Sequence, residues 1–286
     1  MDQKIVDLYK EYTDASLDRR DFLRRIACIT GGAVAAYTTL TQLTANTAVA
    51  EIVSKNDPRL HTETVLYSGQ TGDMRAYWAR PKGKEKLPGV IVIHENRGLN
   101  DHIRDVARRM ALEGFLAIAP DALSPLGGTP EDSNEARPKF RELDGEDTIK
   151  NFVAAVKYLK THPLSTGKVG CTGFCWGGGM TNQVAVHSPD LSAAVPYYGS
   201  QPSSDDVPKI KASLLLHYAG SDKRINSGIP VFEKALTLAK IDYKLYVYEG
   251  AQHAFNNDMN ESRYHKEAAE LAWKRTITFF KEKLII

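Results

Sequence analysis

Val169-Gly-Cys-Thr-Gly-Phe-Cys175-Trp-Gly-Gly-Gly179 passes from a short apolar segment into a glycine cluster and then into a helical pattern. Its centre reads Gly173-x-Cys175-x-Gly177, the spacing of a nucleophile elbow with cysteine in place of serine. A side chain presented on a sharp strand-to-helix turn leaves no room for Cβ atoms two residues before and after it, which accounts for both glycines. The helix that follows aims its unpaired N–H groups at the turn and favours thiolate over thiol. Cys175 is therefore the candidate nucleophile.

A thiol at its ordinary pKa is mostly protonated at neutral pH and needs a base or a cation beside it. His253 lies in Tyr248-Glu-Gly-Ala-Gln-His253-Ala-Phe255, just after the last strand-like run. Its imidazole can take the thiol proton and return it to a leaving group. Asp222, in Ala219-Gly-Ser-Asp222, can hold the other ring nitrogen and fix the tautomer. The chain order is Cys, then Asp, then His.

From residue 62 onward strand and helix signals alternate. Thr64–Tyr67 and Met74–Ala79 read as an antiparallel pair, and residues 90–94, 115–119, 168–174, 193–197, 213–217 and 244–248 as further strands. Helical spacing of apolar residues appears at 103–110, 149–159, 231–239 and 268–280. Residues 122–142, rich in Pro, Gly, Ser and charge, read as a surface loop. This alternation predicts an α/β fold, a mostly parallel central sheet with helices on both faces. Ligands of such sheets bind beyond the carboxyl ends of the strands. His94-Glu95, Cys175, Asp222 and His253 each follow a strand signal closely.

Residues 60 to the end resemble the dienelactone hydrolase (carboxymethylenebutenolidase) family of the α/β-hydrolase fold. The resemblance rests on Gly173-Phe-Cys175-Trp-Gly-Gly, Gly220-Ser-Asp222, Gly250-Ala-Gln-His253-Ala-Phe and His94-Glu95-Asn96-Arg97-Gly98. It implies a triad of Cys175, His253 and Asp222. It implies that Glu95 contacts the thiol and helps generate thiolate when substrate binds. The oxyanion hole it implies is the backbone N–H groups of Trp176 and Asn96, worth roughly 3 kcal/mol per donor. Tyr197-Tyr198-Gly199 resembles the family's pocket aromatics, so Tyr198 joins the expected pocket. Family members acting on dienelactone carry arginines where this chain has Ala122-Leu123-Ser124 and Asn256-Asn257. Arg97 and Arg224 are the available substitutes. The expectation is therefore cofactor-independent hydrolysis of a small ester or lactone through an acyl-thioester. The competing expectation is an α/β-hydrolase-like protein that binds a small molecule without turning it over.

The bulk numbers agree with a globular enzyme: 286 residues, 42% hydrophobic, 25% charged, net charge +2, which points away from nucleic acid. The three cysteines make no disulfide framework, and Cys171, within a strand, reads as inert packing. Gly177-Gly-Gly179 lacks the G-K-[ST] of a phosphate loop, and the remaining histidines have no metal-ligand spacing, so neither metal nor cofactor is expected.

Residues 1–50 differ in character from the remainder. Asp18-Arg19-Arg20-Asp21-Phe22-Leu23-Arg24 resembles a twin-arginine export signal. An uncharged run from Ile26 follows, ending Ala48-Val49-Ala50 before Glu51, a small-x-small cleavage pattern. The run is too weakly hydrophobic for a stable membrane span. The expectation is a periplasmic or exported protein with residues 51–286 as one domain. The alternative is a cytoplasmic protein whose N-terminal arm, with Ile5, Val6, Leu8, Tyr9 and Tyr12 near helical spacing, docks on the domain or on a second copy in a homo-oligomer.

Overall fold

The computed structural model describes residues 3–13, 17, 19–32, 35–36, 39, 51–83 and 85–285. Eight strands form one sheet in the order β1-β2-β4-β3-β5-β6-β7-β8. They are β1 Leu60–Gly69, β2 Gly72–Pro81, β3 Leu87–Ile93, β4 Leu116–Pro120, β5 Ser165–Phe174, β6 Ala193–Tyr197, β7 Ser213–Ala219 and β8 Tyr243–Tyr248. β2 runs antiparallel to β1 and β4, and β4-β3-β5-β6-β7-β8 are mutually parallel. β3 and β4 are almost wholly buried, as parallel strands covered on both faces must be. The β-branched run Val90-Ile-Val-Ile93 suits that position.

Two apolar layers flank the sheet. On one face, α3 (Asp101–Leu112) and α9 (Lys266–Leu284) cover Val90, Val92, Ala117 and Val195. On the other, α5 (Gly145–Thr161), α6 (Trp176–His187) and α8 (Ile229–Leu238) cover Ile91, Ile93, Cys171 and Leu214. Neighbouring residues of one strand thus face opposite layers. A short helix, α7 (Lys223–Asn226), follows β7. The α/β expectation holds; most strands run one to four residues beyond their apolar signals at one end or both, while β6 coincides with its signal and β4 is shifted by one residue.

The expected surface loop at 122–142 is more structured than its composition indicates. It contains a 3-10 turn at Ser124–Leu126 and the helix α4 (Ser133–Lys139), and Ala122, Leu123 and Ala136 are fully buried. Its polarity comes from one exposed side. Asp121 ties the segment down by accepting from Leu123 N (3.0 Å), Thr129 N (2.8 Å) and Thr129 Oγ1 (2.8 Å).

In the N-terminal region, α1 (Gln3–Thr13) and α2 (Arg19–Thr30) bury Tyr12, Phe22 and Ile26 in a cluster of their own. Tyr12 stacks on Phe22 with ring centroids 4.6 Å apart. The Tyr12 hydroxyl donates to Asp132 Oδ2 (3.2 Å), so the arm touches the segment before α4. Residues 40–50, with the expected cleavage site, lie outside the described residues. Among the described residues, no helix is long and apolar enough to cross a membrane.

Candidate active site

Cys175 sits at the turn from β5 to α6 with φ 56 and ψ −114, outside helical and extended space. Among the non-glycine residues with positive φ, Cys175, Tyr198 and Ala254 all lie at this one end of the sheet; Lys240 is elsewhere. Backbone strain concentrated in this way marks a functional site. The glycines let the turn form. A Cβ on Gly173 would overlap the carbonyl of Gly177, and one on Gly177 would lie 2.5 Å from the carbonyl oxygen of Ile93. No side chain caps α6, so its first-turn N–H groups remain for the site.

His253 follows β8, and its Nε2 lies 2.9 Å from Cys175 Sγ. Its Nδ1 lies 2.5 Å from Asp222 Oδ2. Asp222 ends the turn after β7 and caps α7, accepting from Ile225 N with its other oxygen (3.2 Å). The Asp222 carboxylate can only accept, so Nδ1 carries the ring proton and Nε2 is left to accept from the thiol. Burial, then the Glu95 carboxylate, push the Cys175 thiol up to about 12, against the Trp176 backbone N–H and Arg224. Burial thus favours the protonated thiol at the resting turn. Cys171, buried and also pushed up to about 12 by burial, is remote from any base and is packing, as expected.

His94 shapes the loop after β3. Ala122 N donates to its Nε2 (3.1 Å), so its Nδ1 carries the proton and donates to the carbonyl of Glu95 (2.7 Å). Burial depresses its pKa and keeps it neutral. Its ring stacks on Trp176, with centroids 5.6 Å apart, and Phe140, just beyond α4, packs on both. The backbone N–H of Asn96 has no acceptor among the described residues, and that of Trp176 points at the sulfur. Glu95 is 7% exposed. Its carboxylate accepts from Asn257 Nδ2 (2.7 Å) and lies near enough to Cys175 for its charge to oppose thiolate.

Tyr198 is buried with φ 38, and its ring meets His253 edge-on, with centroids 5.1 Å apart. Burial pushes its hydroxyl well above the usual phenol range, against the Asn256 backbone N–H. Tyr198 thus walls the site behind the histidine. Arg224, on α7, is exposed but near enough to Cys175 to favour its thiolate. Arg97 is half-buried beside Glu95, in the field of Tyr12 and Asp132. A cavity of about 400 Å³ opens along Ser221, Asp222, Gly250, Gln252, His253 and Arg263. A larger groove of about 600 Å³ between the β1–β2 turn and α5 is lined by none of Cys175, His253 and Asp222. Among the described residues, no cluster of His, Cys, Asp or Glu has the geometry of a metal site.

Asn257 and Phe140 are site residues that sequence reasoning missed. Asn257 entered it only as the place of a missing arginine, and Phe140 was assigned to a surface loop.

The sheet order, the strained Cys175 turn and the residues at its strand ends define an α/β-hydrolase. Residues 74–284 match the dienelactone hydrolase family, and the chain belongs to that family. A protein of Escherichia coli named "Putative carboxymethylenebutenolidase" is 34% identical over 254 residues, covering 83% of this chain and 93% of its own. A solved structure described as "Putative Dienelactone Hydrolase" from Klebsiella pneumoniae is 31% identical with a TM-score of 0.69, covering 78% of this chain and 99% of its own. A dienelactone hydrolase-like promiscuous phosphotriesterase from metagenomic libraries is 25% identical with a TM-score of 0.70, covering 79% of this chain and 99% of its own. The protein is a hydrolase acting on carboxylic ester bonds.

Proposed function

We propose that the chain hydrolyses small esters or lactones through a Cys175–His253–Asp222 triad and an acyl-thioester. As Sγ attacks the carbonyl carbon, His253 Nε2 takes the thiol proton, and Asp222 stabilises the imidazolium. The oxyanion receives the N–H groups of Trp176 and Asn96. Collapse breaks the ester C–O bond, and the alkoxide leaves with the proton from His253. A water molecule, deprotonated by the same nitrogen, then attacks the thioester. The thiolate departs, regains its proton, and the carboxylic acid is released. Tyr198 walls the pocket, Arg263 lines it, and Arg97 and Arg224 are further cations near it.

The observation that carries this reading is the aligned pair of contacts, 2.9 Å from Cys175 to His253 and 2.5 Å from His253 to Asp222. A protein that only binds has no use for that alignment. The places of the family's arginines hold Ala122-Leu123-Ser124 and Asn256-Asn257, so this reading covers ester or lactone hydrolysis and does not commit to dienelactone as the substrate. The test is a screen against lactones, short-chain aryl esters and a phosphotriester, with Cys175→Ala as the blank. An acyl burst on a p-nitrophenyl ester, abolished by iodoacetamide carried on Cys175, is the expected result. Unchanged turnover in Cys175→Ala refutes the proposal.

We propose further that residues 1–50 direct export and that the mature chain begins at Glu51. The residues just after this point are tied to the α/β domain: Val53 N donates to Asp105 (2.8 Å), and Arg108 donates to Val53 O (2.7 Å). N-terminal sequencing of periplasmic protein reads Glu51 if so. An intact chain confined to the cytosol favours a docking arm instead.

A further inference from the structure

We propose that His217 is a positioning residue for the triad: bonded at both ring nitrogens, it fixes the ends of β6, β7 and β8 at the spacing that brings Cys175, Asp222 and His253 together. This role rests on the triad proposed above and names what sets its geometry.

Tyr197, His217 and Tyr246 are register neighbours across β6, β7 and β8. The tyrosine rings lie 4.5 and 6.3 Å from the imidazole, centroid to centroid. His217 is fully buried there, in the layer that α9 covers. Its Nε2 lies 3.1 Å from Thr276 Oγ1 on α9, and that hydroxyl lies 2.6 Å from Tyr197 Oη. Its Nδ1 lies 2.9 Å from Tyr248 Oη, which also accepts from Arg275 Nη1 (3.2 Å). One side chain thus joins three strands to a helix. A buried imidazole is tolerated when both nitrogens are paired, and a fully paired buried network favours a single arrangement.

The link sits where the backbone ladder is thin. β6 pairs with β7 at Ala193, Ala194 and then Tyr197, and Pro196, in the gap, has no N–H to donate. From this point the backbone leads directly to the site. Tyr197 O accepts from Cys175 N (3.1 Å), and His217 O accepts from Tyr198 N (2.7 Å). Tyr248 O accepts from Gly220 N (2.8 Å), in the turn to Asp222. Asp222 follows His217 by five positions, and His253 follows Tyr248 by five. A displaced His217 therefore reaches all three members of the triad through short backbone connections.

The titratable and charged groups facing His217 are Tyr197 from β6, Tyr246 and Tyr248 from β8, and Arg275 from α9. Burial, then Arg275, push its pKa down to about 3. The ring is neutral near neutral pH, so a changed pH profile there reports on Cys175 and His253 and not on titration of His217.

The experiment compares wild type with Thr276→Val, Thr276→Ser, His217→Phe and the double variant His217→Phe/Thr276→Val. It reads p-nitrophenyl ester kcat and KM, iodoacetamide alkylation of Cys175 against pH, and the urea midpoint. Thr276→Val is nearly isosteric, and it carries the test if His217→Phe fails to fold. It is expected to lower kcat by about tenfold with KM within about twofold, because small misplacements of reacting groups are costly. Alkylation at pH 7 is expected to slow by a similar factor, with its rise displaced to higher pH. Thr276→Ser keeps the hydroxyl and is expected to restore kcat and the alkylation profile. In the His217→Phe background, Thr276→Val is expected to cost less than about twofold more. A Thr276→Val protein that is less stable yet keeps wild-type kcat and alkylation overturns the proposal. So does an equal loss in Thr276→Ser, or an undiminished loss in the His217→Phe background. Alkylation needs no ester. Slowed alkylation in Thr276→Val while no ester is turned over by wild type therefore supports the positioning and refutes the hydrolase reading.

Discussion

The Nε2 atom of His253 lies 2.9 Å from the sulfur of Cys175, although 78 positions separate them in the chain. Burial holds that thiol at about 12, so the imidazole is its route to reactivity near neutral pH. In His253→Ala, alkylation of Cys175 by iodoacetamide at pH 7 is expected to slow by about a hundredfold. Its rate should then keep rising beyond pH 10. A variant rate equal to wild type at pH 7 would mean the imidazole does not activate the sulfur.

Gly177 packs against the backbone end of β3, where an added Cβ would meet the carbonyls of His94 and Ile93. Backbone cannot swing aside as a flexible side chain can. Gly177→Ala is expected to lose about 3 kcal/mol of stability or more, read by urea unfolding. Gly114→Ala is a useful contrast: its Cβ meets nothing within 4 Å, and its cost comes from φ +95 alone.

Cys171 and Cys175 both hold their protons more tightly folded than unfolded, each pushed up to about 12. Above the unfolded thiol pKa of about 8.5 the native state binds more protons, so stability falls as pH rises toward 12. Urea midpoints at pH 7, 9 and 10.5 should decline in wild type. The decline should be shallower in Cys171→Ala, which keeps Cys175. Identical slopes in the two proteins would show that Cys171 contributes nothing to the linkage.

Asp258 behaves oppositely. Burial alone would raise its carboxyl, but His102 and Arg109 together hold it below the usual range. Its contribution is present above the unfolded value of about 3.9 and is lost as pH falls through the lower folded value. Asp258→Asn is expected to cost about 3 kcal/mol at pH 7, because Arg109 and His102 lose a buried partner. The difference from wild type should narrow below pH 4. Thermal melts across pH 3 to 7 measure both effects.

Much of this architecture is written locally. The β-branched run at 90–93 and the glycines around Cys175 dictate a buried strand and a sharp turn whatever surrounds them. Period and turn chemistry are properties of neighbouring residues, so parallel strands, crossover helices and the strand-end placement of Cys175, Asp222 and His253 were all legible. The segment 122–142 misled because composition reports the exposed side of α4 and not Ala136 beneath it.

Sequence alone thus determined the sheet class and the strand-end positions of Cys175, Asp222 and His253, because spacing along a strand–turn–helix constrains geometry directly. Only the tertiary structure decided that Glu95 is bonded to Asn257, 162 positions away, and that Asp258 is clamped by α3. Those contacts depend on how β3, β8 and α3 come together in space. A side-chain amide meeting a carboxylate across two loops leaves no periodic trace in the chain.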